Sequence, residues 1–159
     1  MIRVRAARPE DIEALAEIGL AAWKEAIKPL VAAGVAKRIE SNNPFLPFLR
    51  DQGARVLVAE LDGALVGLGA NEHGDNNISD IWISPLHEGK GAGSALIAAL
   101  EQVIRVRGFA HATIRVAAAN KRALRLYRHL GYEEQWRREE PDPILRISFE
   151  KVGLRKTLC

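Results

Sequence analysis

A glycine-rich segment at residues 88–94, with the sequence EGKGAGS, has the composition of a turn that binds an anion. Glycine lets the backbone bend sharply, so that successive N–H groups can point at one place. Apolar residues that end at Pro85 precede the segment, and a run of helix-forming residues follows it. The free N–H groups and the dipole at the start of that helix would attract phosphate. A connector without a ligand is the alternative, but it would not need three glycines in five residues. We therefore predict a phosphate-binding turn.

The spacing of these glycines excludes two common nucleotide-binding motifs. A P-loop requires the order GxxxxGK followed by Ser or Thr, which is absent here. The dinucleotide pattern GxGxxG fails as well, because it would place Ser94 or Leu96 at the last glycine position. The predicted turn therefore belongs to neither class.

Four periodic segments position this turn. Residues 78–84 alternate as a strand does, and residues 93–107 follow helical spacing. Residues 112–117 then predict a strand, and residues 120–130 predict a second helix that ends at a glycine. A strand, a helix and a strand in this order imply a parallel pair joined by a right-handed crossover.

The remaining elements predict an α/β fold with one mixed sheet of six to seven strands flanked by helices, in a single domain of residues 1–159. Asp62-Gly63 between two apolar runs is typical of a β-hairpin. Several prolines and a glycine interrupt residues 25–51, which predict broken helix and loop. Further strands are expected at residues 2–7, 55–60, 64–70, 132–137 and 144–151, and a first helix after Pro9.

The composition narrows the class of protein. Hydrophobic residues make up 48% and charged residues 27%, a balance typical of a soluble globular domain. No apolar run reaches the roughly 18 to 20 residues of a membrane helix, and the first residues carry acids where a signal peptide would be apolar. The only cysteine is Cys159, so an internal disulfide is excluded and a cytoplasmic setting is expected. A net charge of +3 with few aromatic residues does not favour nucleic acid as a partner.

Two sequence blocks resemble the GCN5-related N-acetyltransferase family. Residues 88–93 match the family's signature loop of Gln or Arg, any two residues, Gly, any residue, and Gly or Ala. Residues 120–132, NKRALRLYRHLGY, look like its second block of Asn, Ala, Leu-Tyr and Leu-Gly-Phe/Tyr at the expected distance. With the surrounding elements the resemblance covers roughly residues 2–151, although the first fifty match only in pattern.

The resemblance implies a fold of this family and an N-acetyltransferase that uses acetyl coenzyme A (acetyl-CoA) to acetylate a primary amine of a small molecule or protein. The strand before the loop would offer its backbone to the pantetheine arm, the loop would bind the pyrophosphate, and the second block would meet the pantetheine. The implied cofactor-binding residues are Ile81, Trp82, Ile83, Glu88, Gly89, Lys90, Gly91, Ala92, Gly93, Ser94, Asn120 and Ala123.

Glu88 departs from the family pattern, because it stands where Gln or Arg is usual. A carboxylate that faced the pyrophosphate would repel it. Since backbone amides could still bind, we expect weaker affinity and not its loss. The charge of Lys90 would offset part of the repulsion.

Tyr127 in the second block is implied as the general acid that protonates the departing thiolate. The alternative is ordinary packing, since Tyr127 also lies on the inward face of its predicted helix. The amine must lose a proton, and Asp80, Glu72 and His73 are candidates for the base. The sequence does not choose among them, and Asp80 could equally be an ordinary strand residue.

Other residues receive simpler interpretations. The four histidines lack the spacing of a metal site, so no metal is expected. A solvated basic face explains Arg122, Arg125 and His129 better than contact with the 3′-phosphate of the cofactor. Cys159 at the chain end is a poor acyl carrier, which favours direct transfer.

Two further classes of function compete with catalysis: a non-catalytic acyl-CoA-binding or regulatory module on the same fold, and a nucleic-acid-binding domain with thin support. The acceptor is expected near Trp23, Phe45 and Phe48, although these are equally ordinary core residues. Exposed edge strands in the tail suggest a homodimer.

Overall fold

A computed structural model describes residues 1–158, which form eight strands and five α-helices linked by short 3₁₀ turns. Cys159, considered above as an acyl carrier, lies outside the described residues. The elements in chain order are β1 (Ile2–Ala6), α1 (Ile12–Ala26), α2 (Ala33–Asn42), α3 (Phe45–Gln52), β2 (Leu57–Leu61), β3 (Ala64–Ala70), β4 (Asn77–Ile78), β5 (Asp80–Ile83), α4 (Ala92–Val106), β6 (His111–Ala117), α5 (Lys121–His129), β7 (Glu133–Asp142) and β8 (Ile147–Thr157).

The strands form two four-stranded sheets, with the orders β1-β2-β3-β5 and β4-β6-β8-β7. All neighbouring strands are antiparallel except β4 and β6, which are parallel. The predicted mixed α/β fold is confirmed, but the count of six to seven strands in one sheet is not exact. The difference arises because the strand predicted at residues 78–84 is split into β4 and β5.

Ser79 lies at the break between β4 and β5. Its hydroxyl donates to the carbonyl oxygen of Ala70 at 3.1 Å and accepts from the backbone N–H of Glu72 at 3.0 Å. The Ser79 hydroxyl thus pairs the backbone N–H of Glu72, which a regular β-ladder would pair with a carbonyl oxygen. β4 continues the second sheet beside β6, whereas β5 continues the first beside β3. The crossover from β4 to β6 is parallel as predicted, but β5 and β6 diverge.

The Asp62-Gly63 turn joins β2 and β3 as predicted, and both residues have positive φ, 51° and 88°. Residues 25–51 are more regular than predicted, because they contain α2 and α3. Asn43 lies just before α3, and its Oδ1 accepts from the backbone N–H of Phe45, the first residue of the helix, at 3.1 Å. Phe45 packs so closely on Gly19 that a Cβ there would lie 2.7 Å from the ring. Tertiary packing therefore stabilises a helix that local propensity does not predict.

A first and a second hydrophobic core and a third, smaller one lie between the sheets and the helices. α1, α2 and α3 pack against the first sheet, with Leu15, Phe45 and Leu49 at the centre. α4 also packs against the first sheet, where its Leu96 is buried with Ala59 and Val66 in the third, smaller core. Together with α5 it covers the second sheet, where Leu100 and Ile104 are buried in the second core. In residues 1–158 no helix combines the length and the apolar character that a membrane crossing demands.

The tail forms a longer hairpin than predicted, since β7 and β8 run over residues 133–142 and 147–157. Asp142 closes the turn between them. Its Oδ1 accepts from the backbone N–H groups of Ile144 and Leu145 at 3.0 and 2.9 Å. The hairpin therefore reaches over the first core, where Leu145 is buried.

Candidate active site between two diverging strands

A cavity of about 340 Å³ opens where β5 and β6 separate. β5 bonds to β3 on one side, and β6 bonds to β4 at Thr113 and Ile114. Within the described residues, the edges of β5 and of β6 beyond Ile114 that face each other therefore have no partner strand. The cavity lies between these edges and is lined by Asp80, Ile81, Trp82, Ile114, Arg115, Val116 and Ala117, and by Asn120 and Tyr127 beside them.

The structure thus brings five of the predicted site residues together, namely Asp80, Ile81, Trp82, Asn120 and Tyr127. Ile83 does not line the cavity, because its side chain packs in a small core with Ala59 and Leu96. Ala123 packs in the second core and contributes its backbone N–H to the start of α5.

The glycine-rich segment forms the turn predicted from its composition and leads into α4. Gly89 and Gly91 have φ values of 75° and 94°, and Gly91 is the residue that caps α4. A Cβ at either position would meet nothing within 4 Å. These glycines are therefore required by the backbone conformation and not by crowding. Lys90 is exposed and Ser94 is half-buried at the first turn of α4.

Ala92 and Gly93 hold α4 against the rest of the molecule. Ala92 is buried in the small core beside Leu96. A Cβ on Gly93 would lie 3.1 Å from a methyl group of Leu126 in α5, so the two helices approach closely here. Ala92 and Gly93 would contact a bound anion through their backbone N–H groups.

Glu88 forms an ion pair with Arg122 at the start of α5. The Glu88 side chain is 23% exposed, and Arg122 is largely in solvent. Sequence reasoning assigned the offsetting charge to Lys90 and placed Arg122 on a solvated face. The structure supplies Arg122 as the partner, so the carboxylate at the position where Gln or Arg is usual is balanced by a cation.

Asn120 lies in the half-buried loop between β6 and α5 and caps that helix. Its Oδ1 accepts from the backbone N–H of Ala123 at 3.3 Å, a common arrangement at helix starts. Since Oδ1 is used in this way, the amide nitrogen is the group of Asn120 that can donate to a molecule in the cavity.

Tyr127 projects from α5 into the cavity and is only 6% exposed. Its ring packs edge-on against Tyr132, with the two ring centres 6.3 Å apart. Burial raises the pKa of the Tyr127 phenol well above its ordinary value, and the negative charge of Asp80 raises it further. The hydroxyl is therefore protonated at neutral pH, as a hydrogen-bond donor or acid must be.

Asp80 lies on β5 and faces the same cavity. The indole N–H of Trp82 donates to its Oδ1 at 3.0 Å. Burial raises the pKa of the Asp80 carboxyl, and the nearby charge of Glu72 adds to this effect, while the hydrogen bond from Trp82 and the neighbouring Ser79 hydroxyl oppose it. Of the other base candidates, Glu72 lines the cavity, whereas the His73 side chain is 68% exposed and lies 3.5 Å from the Glu72 carboxylate.

The far side of the cavity is built from α1, α3 and the β7–β8 hairpin. Trp23, Phe45 and Phe48, which the sequence places near the acceptor, all line it. The ring of Phe45 meets Trp82 edge-on at 5.3 Å between ring centres. The hairpin adds Asp142, Ile144, Leu145, Phe149 and Lys151. Within residues 1–158, no three or more acidic or histidine side chains are grouped in a way that would hold a metal ion.

β4 and β6 form a parallel pair, and next to it β5 and β6 leave a gap beside a glycine turn that begins a helix. A protein with this arrangement can bind an extended anionic cofactor between the two strands. The family model described as "Acetyltransferase (GNAT) family" matches residues 18–132, which include the gap, the turn and α5. The chain belongs to this family. It is an acetyl-CoA-dependent N-acetyltransferase, as the resemblance of its two sequence blocks implied.

Individual relatives agree with this membership. The chain is 27% identical to streptothricin acetyltransferase from Streptomyces lavendulae over 150 residues, which cover 80% of this chain and 79% of that protein. Its fold matches a GCN5-related N-acetyltransferase from Rhodopseudomonas palustris, with a TM-score of 0.79, 22% identity, and 98% and 95% of the two chains covered. It also matches the PaiA N-acetyltransferase from Thermoplasma acidophilum in complex with coenzyme A, with a TM-score of 0.75, 16% identity and 99% of each chain covered.

Proposed function

We propose that this acetyltransferase transfers the acetyl group directly to a primary amine in a ternary complex, with Tyr127 as general acid and Asp80 as general base. The observation that carries the proposal is that both side chains line one cavity between the unpaired edges of β5 and β6. A direct route needs the acid and the base on either side of one thioester, which this arrangement supports.

The donor would lie along the gap. Its pantetheine arm would pair with the free backbone edge of Ile81, Trp82 and Ile83, in the manner of an added strand. Its pyrophosphate would meet the N–H groups of the turn from Glu88 to Ser94, where Gly89 and Gly91 supply the bent backbone. The amide nitrogen of Asn120 would donate to the pantetheine, and Ala123 would fix Asn120 through the cap of α5.

The base has to overcome a proton cost. An alkylammonium group has a pKa near 10.4, so its deprotonation at pH 7 costs about 4 to 5 kcal/mol. The raised pKa of the Asp80 carboxyl makes it a stronger base than an exposed aspartate, and Glu72 in the same cavity supports it. The neutral amine would then attack the carbonyl carbon and form a tetrahedral oxyanion, and the second proton that the nitrogen loses would restore the proton that Tyr127 gives to the sulfur.

Collapse of that intermediate breaks the carbon–sulfur bond and expels a thiolate. The Tyr127 hydroxyl, protonated at neutral pH, would donate its proton or a hydrogen bond to the sulfur. The N–H groups along the free edge of β5 are suited to stabilise the oxyanion before collapse. No covalent enzyme intermediate is needed in this sequence of steps.

Calorimetric titration with acetyl-CoA, combined with a coenzyme A release assay over a panel of amines, tests the proposal. We expect binding in the micromolar range and release that depends on the amine. Binding without amine-dependent release would favour the alternative, a non-catalytic acyl-CoA-binding module in which Tyr127 only packs.

Gly91→Ala gives a sharper test of the turn. The positive φ of Gly91 costs about 1 to 2 kcal/mol for a residue with a Cβ, so the variant should bind acetyl-CoA about tenfold more weakly.

Streptothricin is one acceptor to include, because the relative from Streptomyces lavendulae is named for it.

The homodimer, the absence of a nucleic-acid partner and the cytoplasmic setting belong to the proposal as well. Sedimentation at several concentrations tests the dimer.

A further inference from the structure

We propose that the acceptor is a compact amine with one ammonium group on an apolar, ring-sized body and with no acidic group beside the nitrogen. This inference rests on the proposed function and deepens it, because it concerns the acceptor half of the same cavity. Three features of the acceptor half support the inference: the side chains of its wall, the distribution of its charges, and the contact that holds the β7–β8 turn beside it.

The wall is aromatic. Its rings come from four separate elements, α1, α3, β5 and β8, and are those of Trp23, Phe45, Phe48, Trp82 and Phe149. Only nine residues of the whole chain are Phe, Trp or Tyr, so more than half of them line this one space. Such rings bind flat apolar groups through burial and edge-to-face contact. A ring-bearing amine would replace water from this wall.

The carboxylates that remain for an ammonium group lie at one end. Asp80 and Glu72 are at the reaction end, beside Tyr127. The third carboxylate, Asp142, is already engaged, because it accepts from two backbone N–H groups and its Oδ2 lies 3.4 Å from Lys151. A second ammonium group would therefore meet rings and the cations Arg115 and Lys151 and find no free acid. An acidic group next to the amine would be repelled by Asp80 and Glu72.

Arg38 holds the β7–β8 turn beside the acceptor half. It extends from α2 and donates to the carbonyl oxygens of Ile144 and Leu145 at 3.1 and 2.6 Å. These contacts tie the β7–β8 turn to α2, with Ile144 and Leu145 on the cavity wall. A volume of about 340 Å³, shared with the end of the donor, is at the small end of ligand sites. The space suits a small molecule better than a protein chain, which needs an open groove.

A panel of acceptors at saturating acetyl-CoA, monitored by coenzyme A release, tests the inference. The panel contains 2-phenylethylamine, 1,4-diaminobutane, spermidine, L-phenylalanine, an alanine-ended peptide and streptothricin. We expect kcat/KM for 2-phenylethylamine to exceed that for each of the others by about 100-fold, since an unpaired buried charge costs several kcal/mol. A preference for any of the other five amines would overturn the acceptor class while it leaves the transferase intact. Binding of acetyl-CoA without release for any amine would instead defeat the proposed function itself.

Phe48→Ala tests the wall directly. We expect kcat/KM for 2-phenylethylamine to fall at least tenfold and kcat/KM for ethylamine, which is too short to reach the ring, to change less than threefold. Phe48→Leu should recover part of the loss. Phe109→Ala, at a partly exposed ring that does not line the cavity, is the matched control and should change neither value. Equal losses for both amines with Phe48→Ala would contradict the assignment of this wall to the acceptor.

Discussion

Two tyrosines pack edge-on against each other, and each lies near one buried or half-buried carboxylate, yet their surroundings differ. Tyr132 donates to Glu101 Oε2 at 2.7 Å, and the amino group of Lys156 lies 3.0 and 3.2 Å from the two carboxylate oxygens. We call these three residues the closed network. It joins α4, the start of β7 and β8. Burial and the bond to Glu101 raise the pKa of Tyr132.

Tyr127 and Asp80 carry the same chemical groups but line a cavity, and among residues 1–158 no lysine pairs with Asp80 as Lys156 pairs with Glu101. Burial raises the pKa of both groups, and for Asp80 the hydrogen bond from Trp82 and the nearby His73 offset this effect only in part. A carboxylate whose hydrogen bonds and charge are satisfied contributes to stability, whereas one that is desolvated without a cation is available for proton transfer. We therefore assign a structural role to Tyr132 and propose a catalytic role for Tyr127.

The largest expected effect is on the stability of the closed network. Glu101→Ala leaves Lys156 and the Tyr132 hydroxyl without their partner, and Lys156 is only 27% exposed. We expect the free energy of unfolding, measured with urea, to fall by about 3 kcal/mol. Turnover per folded molecule should stay within twofold. Glu101→Leu combined with Lys156→Met, which removes both charges, should recover most of the loss; if it did not, the pairing would not be the cause.

Tyr127→Phe has the opposite profile. It removes the hydroxyl proposed as the acid, so we expect kcat for coenzyme A release to fall about 100-fold. The affinity for acetyl-CoA, measured by titration, should change little. An unchanged kcat would remove Tyr127 from the mechanism and erase the contrast between the two tyrosines.

Tyr132→Phe is the matched control within the closed network. It removes a hydrogen bond to a charged group, which is typically worth about 1.5 to 3 kcal/mol. We expect the free energy of unfolding to decrease by about 2 kcal/mol and kcat to stay within twofold. A loss of kcat as large as that of Tyr127→Phe would mean that both hydroxyls act on the reaction together.

Asp80→Asn should raise the free energy of unfolding, and by less than the other variants change it. Because burial raises the pKa of Asp80 in the folded protein, the folded state binds more protons than the unfolded state above the unfolded pKa near 3.8. Its contribution to the unfolding free energy therefore decreases as pH rises from about 4 through the raised pKa. At pH 7 the variant, which still accepts from Trp82, should be more stable by about 1 kcal/mol, with lower turnover. Equal stability of the two proteins from pH 4 to pH 7 would contradict this account.

Much of the candidate site could be predicted from the sequence, because its signals are local. The bend at Gly89 and Gly91 and the inward position of Tyr127 both depend on a few neighbouring residues. The strand before the turn was also predicted, but not its division at Ser79. That division depends on contacts with Ala70 and Glu72, and no periodicity records them.

The remaining features depend on distant contacts. The ion pair of Glu88 with Arg122 joins positions on two elements that only the tertiary fold brings together. α3 forms because Phe45 packs on Gly19, which local propensity does not show. Glu101 did leave a signal, since it follows Ile97 by four residues and precedes Ile104 by three. A charged residue on the apolar face of a helix predicts a buried partner, but only the structure identifies Lys156 and Tyr132.

The central claim is that the donor lies between β5 and β6 with its sulfur next to Tyr127. A crystal structure with coenzyme A bound tests it most directly. We predict that the pantetheine arm pairs with the edge of β5, that the pyrophosphate contacts the N–H groups of the turn at residues 88–94, and that the sulfur lies within hydrogen-bond distance of the Tyr127 hydroxyl while the closed network is unchanged. A sulfur next to Tyr132, or a cofactor outside the gap, would contradict the account.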